Sequence, residues 1–376
     1  MFKSDIAALH HRTDHGRRQV IVPREPAHGL RRISVPRDFQ TIQQAVNSAH
    51  PGDIINIDPG TYVEQIIINK DLSLTGSGSD STIIAAPTIL STDSFGKRFI
   101  VEINNGAIVD ITRLTVTGPG GCPAWGIGVM GQSTLNLSSA VVTHIRDNSI
   151  SDCTLSGGTA ILIGLPPHLA EGQVANATIT DVVVNDYSSH GIAVVGNGST
   201  ANLFHNVVTG FGSTQELNQV GILVGFGAVA TVRHNEISEN LCSMPSDCGP
   251  DPINQGQSVG IFTMDADAGT EFSNNRLYNN DVGIYLYSSN GCCTTHHNTL
   301  TNNHFFGLVI QDGDNTMSHN TISGGSVGIA VVADSVNTVG TLQNNTITGT
   351  SVMQVQEIPS EGFTATANII RDNSNR

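Results

Sequence analysis

The chain has 376 residues, of which 13% are charged and 5% aromatic. That charge share is too low for a coiled coil or a helix-rich protein, and no apolar run reaches the roughly 18 residues of a membrane-spanning helix. The formal net charge of −15 is unevenly placed: residues 1–40 carry eight Lys/Arg against four Asp/Glu, residues 41–376 carry nine against 28, and no lysine follows Lys97. A body this acidic argues against nucleic acid, which needs several cationic phosphate contacts, and against polyanionic glycans unless a cation mediates.

In chain order, residues 1–32 come first. They are basic and hold His10, His11, His15 and His28. They read as an N-terminal arm or surface strap outside the fold. No continuous apolar stretch there forms a signal peptide. Two alternatives stand, a cytosolic chain or an exported one whose leader is missing from this sequence; six cysteines, an even number, favour a secreted or periplasmic setting. Residues 40–49 follow, with Phe39, Ile42, Ala45, Val46 and Ala49 at helical spacing and Pro51-Gly52 as the stop.

From residue 77 the sequence repeats. A Gly/Ala-apolar-x-apolar motif starts at Gly126, Ala160, Gly191, Gly221, Gly260, Gly283, Gly307 and Gly328, at spacings of 34, 31, 30, 39, 23, 24 and 21. A second motif, Asn-x-apolar, keeps step at Asn206, Asn235, Asn275, Asn298, Asn320, Asn345 and Asn368. About 22 residues hold three short strands and three turns. One such unit cannot bury its apolar side alone, but stacked units form a parallel coil with a continuous core, ~4.8 Å per step. A column of Asn at one corner is then structural. About eleven rungs predict a rod of roughly 50 Å.

The stretch Ile33-Ser-Val-Pro, Phe39 to Val46, Pro51 to Tyr62 and Leu72 to Gly76 resembles the entry segment of the right-handed parallel β-helix, or pectin-lyase-like, superfamily. The resemblance covers about residues 33–373. It implies an all-β fold, a single coil (domain 33–376) with a capping helix within 33–76 and rungs over 77–373. It leaves activity open, because this fold hosts hydrolases, lyases, epimerases, tailspikes and adhesins. The Asn-Thr-Asp, Asp-Asp and His-Gly-His series of its polygalacturonases does not occur here.

Rungs between Gly126 and Gly260 are longer than the repeat needs, and the extra residues precede the Gly-apolar strand. Stacked on one edge, these loops predict a wall beside that strand's face, hence a groove for an extended polysaccharide or oligosaccharide. Trp125, Tyr187 and Phe211 in these loops are candidate sugar platforms. Asp186, Glu216 and His190 are candidate catalytic groups, since glycoside hydrolysis needs an acid and a base or nucleophile. Five residues past the strand glycine stand Asp265, Ser288 and Asp312; two further stand Asp267, Asn290 and Asp314. This acidic ledge suits a carboxylate pair of Asp265 and Asp312, a Ca²⁺ site of Asp265, Asp267, Asp312 and Asp314, or simple turn chemistry. Arg146 and Arg233, each two residues before an Asn, are candidates for one substrate-binding column, which also holds His296; the next holds His205, His234, His297 and His319, either a metal-binding ladder or scattered solvated imidazoles. Cys122 with Cys153 and Cys242 with Cys248 are candidate disulfides; Cys292 and Cys293 are expected not to bond each other. Three readings follow: hydrolysis of a neutral or weakly charged polysaccharide, elimination or C5-epimerisation of a uronate polymer, and a non-catalytic glycan-binding or adhesin scaffold.

Overall fold

The computed structural model describes residues 29–118, 125–146, 158–170, 172–214, 219–243 and 248–370. Within them one chain path winds through three parallel sheets. Sheet 1 has 13 strands, from Arg32–Val35 to Ala365–Ile370; sheet 2 has 11, from Gly60–Val63 to Thr346–Thr348; sheet 3 has 11, from Ile66–Ile68 to Met353–Pro359. Each turn of the coil visits sheet 3, then sheet 1, then sheet 2. The repeat has this form because no single unit covers its own apolar side.

The three sheets read differently along the chain. Sheet 1 strands alternate, as in Thr200–Phe204, with every second residue buried. Their outer face is wet. Most sheet 3 strands are largely buried on both faces, as in Val220–Gly225. Strands covered on both faces are near-continuously apolar, which is why the Gly-apolar motif stood out in the sequence. Ile222, Ile261, Ile284, Leu308 and Ile329 follow one another in register and lie inside the coil. Burying each such side chain stabilises the fold by roughly 1.5–3 kcal/mol.

The glycine that opens these strands is required by close approach. A Cβ on Gly283 would lie 2.5 Å from the Gly307 carbonyl oxygen and 2.6 Å from Leu300 Cδ2. The asparagine column is a hydrogen-bonded ladder at the corner from sheet 1 to sheet 2. Asn275 Oδ1 accepts from the Asn235 backbone N–H and side-chain amide, and Asn275 repeats both bonds to Asn298 Oδ1. The ladder runs from Asn206 through Asn345. Asn368 is not in it: it pairs with Thr341 inside the last sheet 1 strand. A second ladder of Asn240, Asn280 and Asn303 turns the corner from sheet 2 to sheet 3. The helix Ile42–Ser48, N-capped by Thr41, buries Ile42, Ala45 and Val46 at the first end of the coil.

The histidine column has a backbone cause. His205, His234, His297 and His319 precede ladder asparagines and share φ of 55–56° with Asn274. Asn, Asp and His are the residues other than Gly that most readily adopt this left-handed conformation. Their rings stack as a consequence, His297 on His319 at 5.0 Å.

Candidate functional site

The outer face of sheet 3 carries a second apolar layer. Leu162, Ala193, Leu223, Phe262 and Tyr285 stand in register on successive strands. Two adjoining cavities open over it, of about 470 and 350 Å³. They share Val220, Phe262 and Met264, so together they form one groove. From Leu162 to Gln311 its floor crosses five rung steps, ~24 Å.

The half over the earlier rungs is lined by Lys97, Trp125, Thr159, His168, Ser189 and His190 with apolar neighbours. It holds no described carboxylate. The Lys97 ammonium lies 4.7 Å from the centre of the Trp125 ring, a cation–π geometry. Burial pulls its pKa down, opposed by Asp93. Asp93 Oδ1 holds this loop by accepting from the Phe95 and Lys97 amides. His190 Nδ1 lies 2.8 Å from Ser189 Oγ and 3.3 Å from Thr159 Oγ1. Its ring is partly exposed at the groove floor but ringed by protein, and that desolvation lowers its pKa to about 4. It is a neutral hydrogen-bonding group at neutral pH.

The other half is lined by Pro252, Ile253, Gln257, Tyr285, Tyr287, Gln311 and Asp334. The Tyr285 hydroxyl meets Gln311 Oε1 and lies 3.2 Å from the Pro252 carbonyl. Burial raises its pKa, with Tyr287 and Asp312 adding to the effect. Phe262 packs edge-on to Tyr285 and stacks over Tyr287 at 6.4 Å. One carboxylate secures the wall here. Asp281 Oδ2 accepts from the amides of Cys242 and Ser258, the two ends of one loop, which the Cys242–Cys248 disulfide also closes. Within it Asp251 and Gln257 are occupied by turn hydrogen bonds.

The expected site residues divide. Trp125 and His190 line the groove together. The Trp125 ring is nearly buried against Phe99, so only part of it is available to a ligand. Tyr187 is not a platform: it lies in the core, and its hydroxyl donates to Asn240 Oδ1 at 2.6 Å. Asp186 pairs with Arg146 and lies 3.3 Å from His144 Nε2, and the Arg146 guanidinium covers the Phe211 ring at 3.5 Å. This cluster of Asp186, Arg146 and Phe211 belongs to sheet 2, outside the groove lining. Arg233 does not share its column. It sits on sheet 1 opposite Phe204 and Ser273 and pairs with Glu271.

The acidic ledge is built as expected but used by the backbone. Asp265, Ser288 and Asp312 share φ of 49–53°. Asp312 accepts from the amides of Asp334 and Ser335 and from the Ser335 hydroxyl. Asp314 accepts from the Val339 amide. Among the described residues no three His, Cys, Asp or Glu side chains converge as metal ligands, and turn groups bond both oxygens of Asp312 and one of Asp314. Cys292 and Cys293 are bonded to each other, against expectation. Alternation of strand side chains had argued against this, but Cys292 lies before the strand, which begins at Cys293. Glu216, Cys122 and Cys153 lie outside the described residues.

Sequence reasoning missed Lys97, His168, Phe262, Tyr285, Tyr287 and Asp334. The outward positions of the Gly-apolar strands carried a usable signal for Phe262, Tyr285 and Tyr287, since aromatics recur there in adjacent rungs. No signal marked Lys97 or His168, which reach the groove from loops.

Residues 169–347, and again 259–376, match the family model described as a right handed beta helix region, together more than half of the chain. No curated protein is matched by the sequence. Among solved structures, a GH136 lacto-N-biosidase from Eubacterium ramulus is similar with a TM-score of 0.59 at 12% identity, over 87% of this chain and 68% of that one. The Dettilon tailspike protein is similar with a TM-score of 0.54 at 14% identity, over 81% and 57%. The A-module of a mannuronan C-5 epimerase from Azotobacter vinelandii gives 0.51 at 12%, over 89% and 94%. At these identities the likeness concerns the fold. Among the described residues no helix is long and apolar enough to cross a membrane.

Proposed function

Because the chain belongs to the right-handed β-helix family, we propose that it is a carbohydrate-active protein that holds an extended saccharide along the outer face of sheet 3. The observation that carries this is the groove itself: a largely apolar, aromatic floor through two adjoining cavities, with a few polar groups among it. Such a surface meets the C–H faces of sugars, while Thr159, Ser189, Gln257 and Gln311 offer hydrogen bonds to hydroxyls. The relatives in fold support the class: one is a lacto-N-biosidase and another a mannuronan C-5 epimerase module. A saccharide outside the cell is the fitting target, and the described Cys242–Cys248 bridge suits export.

For the reaction, hydrolysis needs two carboxyl groups. Asp334 lines the groove, and Asp265 directly follows Met264, another lining residue; these two are the acid/base candidates. A second reading rests on Lys97. A cation beside His168 and His190, in a half-groove without a described carboxylate, suits a sugar carboxylate and hence uronate elimination or epimerisation.

The test is a panel of neutral and uronate oligosaccharides, scored for binding and product. Phe262→Ala should weaken binding at least tenfold, and Phe211→Ala should leave it unchanged. New reducing ends without an ultraviolet-absorbing double bond select hydrolysis, abolished by Asp334→Asn. An unsaturated product lost in Lys97→Met selects elimination. Binding that survives Phe262→Ala, Tyr287→Ala and Lys97→Met together sinks the groove assignment.

A further inference from the structure

The two ends of the coil are finished differently. The helix Ile42–Ser48 lies over the first end. At the other end, Thr346–Thr348, Met353–Pro359 and Ala365–Ile370 are, among the described residues, the terminal strands of their sheets, each paired on one side only. The core runs straight into this face. Met317, Leu342 and Ile369 form one inward column, and Ile369 is 53% exposed where Leu342 is 3% exposed. A cavity of about 380 Å³ opens there between Ile329, Leu342, Ile347, Val355 and Ile369.

Strand edges exposed to water are normally blunted, above all by lysine. Residues 346–370 contain no Lys or Arg. Their acids are Glu357 and Glu361, and Glu357 Oε1 is turned across the end to accept from the Ala367 amide. Val352 and Met353 add further exposed apolar surface at the rim.

We propose that this face is an interface between two copies of the chain, end to end about a two-fold axis perpendicular to the coil. The occupant must offer three strand edges on the same triangle and an apolar centre. A second copy has both by construction. The two-fold rotation reverses strand direction, so the three edges meet antiparallel, a sound hydrogen-bonding arrangement. Because the helix covers the opposite end, the contact is isologous and closes at two copies instead of propagating. This inference is independent of the groove and its ligand.

The full chain should be measured by light scattering and sedimentation over a wide concentration range. The expected mass is about twice the 39.6 kDa of one chain. Val352→Lys with Ile369→Lys should give single-chain mass with the circular dichroism of the parent, since these side chains are 65% and 53% exposed within one copy. Ile108→Lys, equally exposed on the flank of sheet 1, should remain a dimer. Should the lysine pair fail to fold, amide exchange of residues 353–359 and 365–370 in the parent is the second measure, and it should slow as concentration rises. Single-chain mass at every concentration, a dimer that survives the lysine pair, or a mass series that grows without closing would overturn the proposal.

Discussion

Replacing Asn275 by Ala tests the asparagine ladder directly. Asn275 is buried, and its side chain makes four hydrogen bonds: Oδ1 accepts from the Asn235 amide (3.0 Å) and Asn235 Nδ2 (3.1 Å), and Nδ2 donates to Val232 O (2.9 Å) and Asn298 Oδ1 (3.0 Å). Each such bond contributes about 0.5–1.5 kcal/mol net, and a buried donor left unpaired costs about 1–3 kcal/mol. Asn235 Nδ2 keeps its bonds to Leu203 O and Arg233 O, but the Asn235 backbone N–H has no substitute. The expected loss is therefore about 3–5 kcal/mol. Asn345, at the exposed end of the same ladder, is the internal control. It makes three such bonds but is only partly buried, so water replaces much of what Ala removes, and about 1 kcal/mol should be lost. Urea unfolding followed by both Trp125 fluorescence and circular dichroism measures the difference. Equal losses in the two variants would refute the reasoning, because the ladder would then not depend on buried, unreplaced donors.

Four further outcomes follow from particular contacts. Tyr187→Phe removes the donor to Asn240 Oδ1 and should cost about 1–2 kcal/mol in the same unfolding assay while leaving saccharide affinity unchanged; a loss of affinity would return Tyr187 to the site. The His190 pKa is held at about 4 against an ordinary 6.5, so the unfolded chain binds protons more readily between these values and stability falls as pH drops through that window. His190→Gln should flatten that limb of the melting-temperature profile. His304 has the opposite sign: its bond to Asp281 raises its pKa, so its contribution is present at low pH and lost as pH rises past its raised value, an effect that His304→Ala should remove. Asp281→Ala frees both ends of the loop from Cys242 to Ser258; limited proteolysis should cut this loop first, and saccharide affinity should drop with Phe262 intact. Unchanged cleavage would show that the disulfide alone holds the wall.

The coil was legible in the sequence because its rules are local and periodic. A glycine is needed wherever two corners approach within van der Waals distance, as at Gly283, and an asparagine wherever a corner carries the ladder, as at Asn275. Each recurs once per rung, so its spacing reports the period. Even the histidine column and the acidic ledge were visible, although their cause is backbone conformation: His297 and Asp312 both hold positive φ. Spacing misled for Asn368, which lies inside the last sheet 1 strand, and for Arg146 and Arg233, which pair with Asp186 at sheet 2 and Glu271 on sheet 1.

The contents of the groove were a different matter. The sequence determined that sheet 3 would be apolar on both faces. It did not determine that Lys97 would cover Trp125, or that His168 and His190 would line the same half-groove. Those side chains come from loops of unequal length, and loops obey no period. Their destination depends on what the floor beneath offers them, which exists only once the rungs have stacked. The same holds for carboxylates. Sequence places Asp186 in a wall loop, but a guanidinium close by in the folded coil claims it, and Asp334, with no distinguishing spacing, faces the cavity. Local hydrogen bonding and close approach fixed the scaffold in advance; competition among partners brought together by the fold decided which charges remain free for a ligand.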